Sequence, residues 1–546
     1  MNEDDFVASL QSQPLPFRRF AYLTDPSKDD LKISKYHDLS SSLPDFSVTS
    51  TANIEIFSQP SFDEIPLKQK IKDNYLEKSE NLQPSTDDLF LLSSLSKYSD
   101  VCYIGKEHLG SSRDSLLEMT CLHVINHVIS LQNRVDNHNS KLKSPEVNAF
   151  SFKDQGFSRP AVIILCPFRY NAYKTVKILT KYYPHNKEIA NSSRFEEQFG
   201  VEGSQDGVGE PLAHKSIDWN TTFTGNIDDC FVLPLSFSKK QIKLFSPFSK
   251  TDVIIASPLG IQMILKKEHD AGFLSSISLF IADQCDVIFH QNWENLVEIF
   301  GKLNVLPSKI ESTFDISRLW PCFQENCARL CRQVVLFSEF NFPFLQSLFK
   351  NNPNIDGKIL IEKLVVPTMN LVSSSVSQSF SKISSNSKIS DFDTRVKILI
   401  ATVLPRLLAN GQHVLLYVPD YLNFPPLREA LKKEGIYYVS ACEYDKKSDV
   451  DRARSNFAKE KDSILFLLSG RFYFFKRFNV IGATHVVFFA PPFYSNFYSN
   501  ILNSHKDVAS TVIFSKYDFL FLSRIVGLES AQAMLSSERN YFIIDS

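Results

Sequence analysis

Glycine is scarce in this chain, and the short glycine motifs that hold phosphates or nucleophiles are missing. Only 17 of the 546 residues are glycine, which leaves few places where backbone can close tightly on a phosphate. The phosphate-loop pattern GxxxxGK[ST], the dinucleotide pattern GxGxxG and the hydrolase pattern GxSxG are all absent. These absences argue against an ordinary NTPase, a dinucleotide-binding oxidoreductase and an α/β-hydrolase.

The chain also lacks a charge excess, a long apolar run and paired cysteines. Lys plus Arg is 59 and Asp plus Glu is 61, so the formal net charge is -2. A strongly basic domain is therefore excluded, although a local basic groove can exist in a neutral chain. No run of about 18 apolar residues and no secretory signal is visible, so no membrane span is expected. Nine cysteines without a CxxC pair indicate a reduced, intracellular chain.

A group of cysteines and a pair of histidines could in principle bind a metal, but a structural role explains each of them better. Cys322, Cys327 and Cys331 lie close in sequence, but their spacing is wrong for zinc, and buried thiols on a helix are the better interpretation. His123 and His127 are four residues apart on a predicted helix, but Val124 stands where a zinc protease has glutamate. We therefore expect no metal and no cofactor, and we expect the histidines to pack against or cap their neighbours.

The length and the composition predict two folded lobes. Residues 1–85 are polar and are predicted to be a mostly disordered extension. Residues 86–370 and 392–546 each alternate short apolar runs with helical patterns. Between them, residues 371–391 are rich in serine and are predicted to be a flexible linker.

Continuous apolar runs between helices predict parallel sheets covered on both faces. The predicted strands are 161–166, 252–256, 277–283 and 333–338 in the first lobe and 413–418, 436–439, 464–468, 485–489, 511–514 and 541–544 in the second. The predicted fold class is therefore α/β.

One acidic cluster follows a predicted strand. Asp283, Gln284 and Asp286 come directly after the apolar run ISLFIA, where an NTPase holds Mg²⁺. Gln284 can form hydrogen bonds but cannot take a proton at neutral pH. The alternative is that the two aspartates cap the following helix.

A second cluster mixes basic and aromatic residues. Arg471, Lys476 and Arg477 alternate with five aromatic residues between positions 472 and 478. Arginine beside aromatic rings suits single-stranded nucleic acid, through stacking and phosphate contact. The alternative is a buried aromatic segment whose basic ends reach water.

Several longer segments resemble one family. GN-x-DD-x-F occurs at Gly225–Phe231, SPLG at Ser257–Gly260, and DQ-x-D at Asp283–Asp286 is followed by QNWE. In the second lobe, YVPDYLNFPPLR and GRFYFFKRFNVIGATHVVFFAPP correspond in order and spacing. These motifs are similar to those of the digestive organ expansion factor family, also called U3 small nucleolar RNA-associated protein 25. The resemblance runs from about residue 88 to the C-terminus.

The resemblance implies two RecA-like parallel-sheet lobes like a DEAD-box helicase core. It implies a nucleolar protein of the small-subunit processome that acts in pre-rRNA processing with the U3 small nucleolar ribonucleoprotein and other processome proteins. No membrane and no small-molecule substrate is expected. By the same comparison, Asp283–Asp286 takes the DEAD position without its glutamate, Ser338–Phe340 takes the Ser-Ala-Thr position, and Asn496–Ser504 lacks the arginines of the last motif. The phosphate loop is expected to have no counterpart.

These observations favour a non-catalytic, helicase-like assembly factor that binds pre-rRNA and partner proteins. RNA contact is predicted in a cleft between the lobes, with Arg169 on one side and Arg471 and Arg477 on the other. Lys476 is a further candidate for contact with RNA or a partner. Two alternatives remain open. One is an RNA-dependent ATPase or helicase with divergent motifs, and the other is an unrelated α/β protein that serves only as a protein–protein platform.

Overall fold

The computed structural model forms two compact units, Met1–Leu364 and Val365–Ser546, which we call the first and second lobes. The residues that it describes are 37–38, 46–51, 61–79, 83–105, 111–143, 152–184, 188–201, 212–213, 215–268, 270–308, 315–373 and 376–544. Each lobe is built around its own sheet. No helix in these residues is both long and apolar enough for a membrane span.

The first lobe contains a mixed sheet with a parallel centre. Its described strands are β1 (His37–Asp38), β2 (Phe46–Ser50), β3 (Asp100–Ile104), β4 (Val162–Leu165), β5 (Glu188–Ala190), β6 (Val232–Phe237), β7 (Gln241–Leu244), β8 (Val253–Ala256), β9 (Leu279–Ala282), β10 (Gln333–Ser338) and β11 (Lys358–Lys363). Their order is β1-β2-β11-β3-β10-β9-β4-β8-β6-β7-β5. The strands from β11 to β8 are parallel, and β2 and β6 join them antiparallel.

Helices cover this sheet and explain its continuous apolar strands. They are α1 (Gln69–Lys78), α2 (Thr86–Ser96), α3 (Ser111–Lys141), α4 (Arg169–Tyr182), α5 (Ser192–Phe199), α6 (Ile217–Phe223), α7 (Pro258–Glu268), α8 (Cys285–Lys302), α9 (Pro321–Gln324) and α10 (Pro343–Asn351). All residues of β3, β4, β8, β9 and β10 are buried, as expected for strands packed on both faces. The four strands predicted in this lobe are therefore confirmed.

Part of the N-terminal extension is folded, within a segment predicted to be mostly disordered. In α1, Ile71 and Tyr75 are 0% and 4% exposed and belong to the main core, and Val48 of β2 is also fully buried. Ile71 and Tyr75 are four residues apart, so they lie on one face of the helix and pack together against the lobe. Residues 1–36, 39–45, 52–60 and 80–82 lie outside the described part of the chain.

A buried polar network anchors the start of β3. The carboxylate of Asp100 accepts hydrogen bonds from the side chains of Asn352 (2.7 Å) and Asn354 (2.8 Å) and from the backbone N–H of Val334 (2.8 Å). Burial nevertheless raises the pKa of Asp100 to about 6, because desolvation of the charge outweighs these three bonds. The network fixes β3 between β10 and β11.

The second lobe has a mainly parallel sheet. Its strands are β12 (Ser377–Lys382), β13 (His413–Val418), β14 (Tyr438–Ala441), β15 (Ile464–Ser469), β16 (His485–Phe488), β17 (Ala509–Phe514) and β18 (Tyr541–Ile544), in the order β14-β15-β13-β16-β17-β12-β18. Only β18 pairs antiparallel among the described strands of this sheet. The helices are α11 (Lys388–Ile398), α12 (Leu404–Ala409), α13 (Phe424–Lys433), α14 (Lys447–Lys459), α15 (Gly470–Lys476), α16 (Ser495–Asn503), α17 (Phe519–Val526) and α18 (Leu528–Ser536).

The serine-rich segment contributes a strand and is not simply a linker. β12 runs through its middle, and Phe380 is fully buried. The Ser379 hydroxyl donates to the Ser510 carbonyl (2.7 Å) and lies 2.9 Å from the Thr511 hydroxyl, which ties the strand to β17. Ser387 then caps α11. A serine-rich segment has the composition of a linker even where its hydroxyls form hydrogen bonds within a sheet. Composition alone therefore could not reveal this strand. Residues 374–375 lie outside the described part.

Candidate nucleic-acid interface

The carboxyl ends of four parallel strands bring the motif residues of the first lobe to one edge of the sheet. These neighbouring strands are β8, β4, β9 and β10. Ser257 follows β8, Asp283 follows β9 and Glu339 follows β10, and the short segment after β4 leads to Arg169. Ligands of open α/β sheets bind outside this edge.

Arg169 holds a loop to the start of α4. Its guanidinium donates to the backbone carbonyls of Gln198 (3.3 Å) and Cys230 (3.1 Å) and lies 3.4 Å from the Asp228 carboxylate. It also stacks over the Phe199 ring, with 5.3 Å from Cζ to the ring centroid. The side chain is 21% exposed. These contacts give Arg169 a structural role, and its predicted contact with RNA stays a prediction.

Two motif glycines permit close packing at this edge. Gly225 has a φ of +93°, and a Cβ there would lie 2.3 Å from the Tyr170 ring. A Cβ on Gly260 would lie 2.1 Å from the Phe231 carbonyl oxygen. The Ser257 hydroxyl oxygen accepts from the Gly260 N–H (3.0 Å) and the Phe231 N–H (3.2 Å). The Gly225–Phe231 and SPLG motifs therefore pack the start of α7 against the Phe231 backbone.

The acidic cluster after β9 ties two strand ends together. The Asp286 carboxylate accepts a hydrogen bond from the Glu339 N–H (3.0 Å), and the Asp283 N–H donates to the Leu165 carbonyl (2.9 Å). Gln284, not an aspartate, occupies the N-cap of α8, and its side chain forms no cap bond. One Asp286 oxygen therefore binds the segment after β10, and the capping of α8 by the two aspartates stays a prediction.

Gln284 is the most strained residue of this cluster. It has a left-handed backbone (φ 56°, ψ 53°) and is 2% exposed. Neither atom of its side-chain amide has a hydrogen-bond partner among the described residues. Such a backbone and an unsatisfied buried amide both cost free energy. An amide at this position cannot accept a proton from an attacking water.

The strand β3 and the helix α3 are the elements that would flank a phosphate loop, and the absence of a counterpart to that loop stays a prediction. β3 lies beside β10, ends before Gly105 (φ +93°) and leads into α3, which begins at Ser111. A strand, a loop and a helix are the elements of a phosphate loop. Gly105 and Gly110 have the spacing of GxxxxGK[ST], and Ser111 stands in place of the lysine. Residues 106–110 lie outside the described part of the chain.

In the second lobe, Arg471 is paired with an acid. Its guanidinium lies 3.5 Å from the Glu443 carboxylate and donates to the Tyr444 hydroxyl (3.2 Å). Glu443 also accepts from the Ser469 hydroxyl (3.0 Å). Arg471 retains 27% side-chain exposure. It therefore lies at the surface of the carboxyl edge with its charge partly balanced.

A pair of tyrosines, one exposed and one half-buried, lies beside Arg471, and the sequence interpretation missed it. The rings of Tyr421 and Tyr444 are 5.2 Å apart, Tyr444 is 67% exposed, and the adjacent Leu422 is 78% exposed. Gly470 permits this arrangement, since a Cβ there would lie 2.7 Å from the Pro419 carbonyl. Because β15 lies between β13 and β14, the loop after β13 must cross its end to bring the rings together. We call Tyr421, Tyr444 and Arg471 the tyrosine–arginine surface.

Arg477 is not at this surface. It is the C-cap of α15 in a left-handed conformation and is 9% exposed. Its guanidinium stacks over Phe497 (4.2 Å) and Tyr473 (5.3 Å). Phe472, Tyr473 and Phe474 are buried as well. The alternative of a buried aromatic segment therefore describes α15 better than a surface for nucleic acid does, except that Arg477 is buried and does not reach water. Lys476 is exposed.

Arg395 closes the carboxyl edge of the second sheet. It donates to the backbone carbonyls of Phe489 and Ile513 (both 2.9 Å) and pairs with Asp391 (2.7 Å) and with Asp518. It is 3% exposed. Although burial acts against the charge, the two carboxylates raise the pKa of Arg395. This residue was not flagged from sequence, because nothing local marks an arginine as buried.

The histidine and cysteine groups have structural roles. His123 bonds Gln333 (2.8 Å), and His127 bonds Tyr98 (2.9 Å) and Ser278 (2.8 Å). Cys322, Cys327 and Cys331 are buried in a small apolar cluster across α9 and the following turn. Within the described ranges, no group of three or more His, Cys, Asp or Glu residues is arranged to hold a metal ion.

Comparison with protein families matches nearly the whole folded chain. Residues 98–359 match the model described as UTP25, NTP hydrolase-like domain, and residues 368–544 match the Utp25 C-terminal domain. These boundaries agree with the two lobes.

Two relatives and one solved structure give the extent of the similarity. The chain is 32% identical to the U3 small nucleolar RNA-associated protein 25 homolog of Xenopus tropicalis, over 95% of this chain and 70% of the relative. It is 32% identical to U3 small nucleolar RNA-associated protein 25 of Schizosaccharomyces pombe, over 95% of this chain and 79% of the relative.

Among solved structures, the yeast DEAD-box splicing factor Prp28 aligns over 97% of this chain and 95% of that one, at 11% identity and a TM-score of 0.34. That score is low, so the α/β fold rests on the two sheets themselves. The identity and coverage of the relatives, together with both family models, establish that the chain belongs to the family of U3 small nucleolar RNA-associated protein 25.

Proposed function

We propose that this protein is a non-catalytic assembly factor of the small-subunit processome in the nucleolus, where it binds pre-rRNA and partner proteins. The relatives are named for association with U3 small nucleolar RNA, which supports a role in ribosome biogenesis. The family model describes the first lobe as NTP hydrolase-like, and an ATP-driven activity is the competing function.

The observation that carries the non-catalytic part is Gln284 at the end of β9. A general base is needed there to orient or deprotonate the attacking water, and an amide cannot do this. Ser111 in place of the phosphate-loop lysine removes a second contribution to charge stabilisation. These two changes affect different steps of phosphoryl transfer and favour binding over turnover.

The tyrosine–arginine surface supports the RNA-binding part. Stacking of a base on an aromatic ring contributes roughly 1–3 kcal/mol, and arginine adds phosphate contact. Burial, Tyr444 and Glu443 all raise the pKa of Tyr421, so its ring carries no charge that would repel phosphate. Arg169, Lys476 and Arg477 contribute less to this proposal, because Arg169 and Arg477 are engaged within the fold.

The first experiment measures ATP hydrolysis by the purified chain with and without single-stranded RNA, with Asp283→Ala as control. No turnover is expected in any sample. RNA-stimulated turnover that disappears in Asp283→Ala would overturn the proposal and favour a divergent RNA-dependent ATPase.

The second experiment measures binding of a fluorescent 20-nucleotide single-stranded RNA by anisotropy. Tyr444→Ala should weaken binding about tenfold, consistent with the loss of one stacked base. Tyr437→Ala is the matched control, because Tyr437 is 70% exposed in the same lobe. Equal affinities of the two variants would exclude the tyrosine–arginine surface as the RNA site.

A further inference from the structure

A cavity of about 900 Å³ opens at the amino-terminal edge of the first sheet. Its lining includes Ala161, Asp252 and Ser278, which directly precede β4, β8 and β9. The cavity is therefore at the opposite edge of this sheet from Asp283 and Gln284. Its volume is near the upper limit of small-molecule sites, which is enough for several residues of an extended peptide.

Stacked aromatic rings form part of its wall. Phe248 and Phe273 are parallel within 12°, with ring centroids 4.4 Å apart. Phe248 is half-buried, and Phe273 is 9% exposed. The face of an aromatic ring attracts a cation, and most strongly where water is excluded.

Acidic side chains outnumber basic ones in the lining. The charged members are Asp136, Asp154, Asp252, Asp270, Arg159 and Lys239. Two pairs balance each other, since Lys239 lies 2.9 Å from Asp136 and Arg159 lies 3.0 Å from Asp252. Asp154 pairs with Arg318, which lies outside the lining.

Asp270 carries the remaining negative charge. Its Oδ1 accepts hydrogen bonds from the Gly272 N–H (3.0 Å) and the Ser308 hydroxyl (3.4 Å), and it has no ion pair among the described residues. A Cβ added to Gly272 would lie 3.3 Å from this carboxylate. The carboxylate is therefore at the turn that leads directly into Phe273.

We propose that this cavity binds an extended segment of a partner protein that carries an arginine, whose guanidinium stacks on Phe248 and pairs with Asp270. A guanidinium suits both groups, because its plane stacks on a ring and its N–H groups bind a carboxylate in a bidentate manner. The one unbalanced charge of the described lining, on Asp270, is negative and repels phosphates, which disfavours RNA as the occupant. The site therefore gives the first lobe a protein-binding role that is separate from RNA binding.

The test uses the full chain and blocked heptapeptide libraries that carry Arg, Lys, Glu or Ser at the centre and a mixture elsewhere. Retention of each library on immobilised protein is measured by mass spectrometry. The arginine library should be enriched at least tenfold over the glutamate and serine libraries. Equal retention of all four libraries would overturn the proposal. Enrichment of the glutamate library would also overturn it, because the site would then prefer an anion.

Two variants and one control locate the binding. Asp270→Asn keeps the acceptor for Gly272 but removes the charge, and Ser249→Trp adds bulk at an exposed position of the lining. Both should reduce arginine enrichment at least fivefold. Asp451→Asn, an exposed acid of the second lobe, should leave it unchanged. Displacement of the peptide by single-stranded RNA, or enrichment unchanged in both cavity variants, would refute the assignment. Tyr444→Ala should not affect it, which separates this site from the proposed RNA surface.

Discussion

Reversing the charge of Arg477 should destabilise the second lobe and not merely weaken RNA binding. The guanidinium makes two cation–π contacts, at 4.2 Å and 5.3 Å, and the residue is 9% exposed. A desolvated cation–π contact contributes about 2 kcal/mol, and the longer of the two contacts contributes less. A glutamate would also bury a carboxylate against the negative faces of the same rings, which costs several kcal/mol. We expect Arg477→Glu to lower the free energy of unfolding by roughly 4 kcal/mol.

Hydrogen exchange measures this effect where it occurs. A loss of roughly 4 kcal/mol should speed exchange of β15 and α15 amides about 10³-fold, at 1.4 kcal/mol per tenfold. All three tryptophans, Trp219, Trp293 and Trp320, lie in the first lobe. Their emission therefore provides an internal control that should not change on mutation.

Arg471 and Lys476 supply matched comparisons in the same helix. Arg471→Glu loses one partly exposed ion pair and faces Glu443, so it should destabilise the lobe by only about 1–2 kcal/mol while weakening RNA binding. Lys476→Glu, at an exposed position, should leave exchange unchanged. Parental exchange rates in Arg477→Glu would refute the reasoning that this guanidinium is a core group.

Three further substitutions test single structural causes. Because burial raises the pKa of Asp100 from 3.8 to about 6, the free energy of unfolding should fall by about 2 kcal/mol between pH 4 and 7, and Asp100→Asn should remove that slope in urea titrations followed by tryptophan emission. Gly260→Ala should cost about 3 kcal/mol through its 2.1 Å clash, whereas Gly301→Ala, with nothing within 4 Å, should be neutral or stabilising in thermal melts. Arg395→Gln should cost about 3–5 kcal/mol by calorimetry, because two largely buried carboxylates lose their partner.

Strands were predictable where burial on both faces makes them continuously apolar. β10 and β13 were predicted with their observed bounds, since every residue of QVVLFS is buried and HVLLYV is nearly so. β3 was missed because it begins with the charged Asp100, whose carboxylate is satisfied only by residues more than 230 positions away. β12 was missed because its serines bond to a neighbouring strand. In both cases long-range partners override the local signal.

The site residues were predictable by type but not by burial. Arg471 and Arg477 lie in the same basic and aromatic segment, yet one is at the surface and the other is in the core. The left-handed C-cap at Arg477 turns its side chain inward, and no sequence pattern marks that conformation for an arginine. Tyr421 and Tyr444 follow strands that are separated by β15, and they meet because the loop after β13 crosses the end of that strand. Sheet order, which the sequence does not state, creates that pair.

The motif residues that this chain retains share one property, which is that the fold itself uses them. Asp286 holds the Glu339 N–H, Ser257 holds two backbone N–H groups, and Gly260 gives room to a carbonyl. The positions where chemistry would need a specific side chain carry others, namely Ser111 and Gln284. Packing constrains the first set whether or not nucleotide is hydrolysed, whereas only catalysis constrains the second. The carboxyl edge of the first sheet therefore has the residues that the fold needs and lacks the side chains that catalysis would need. We would expect this combination in a protein that uses an NTPase-like fold for binding.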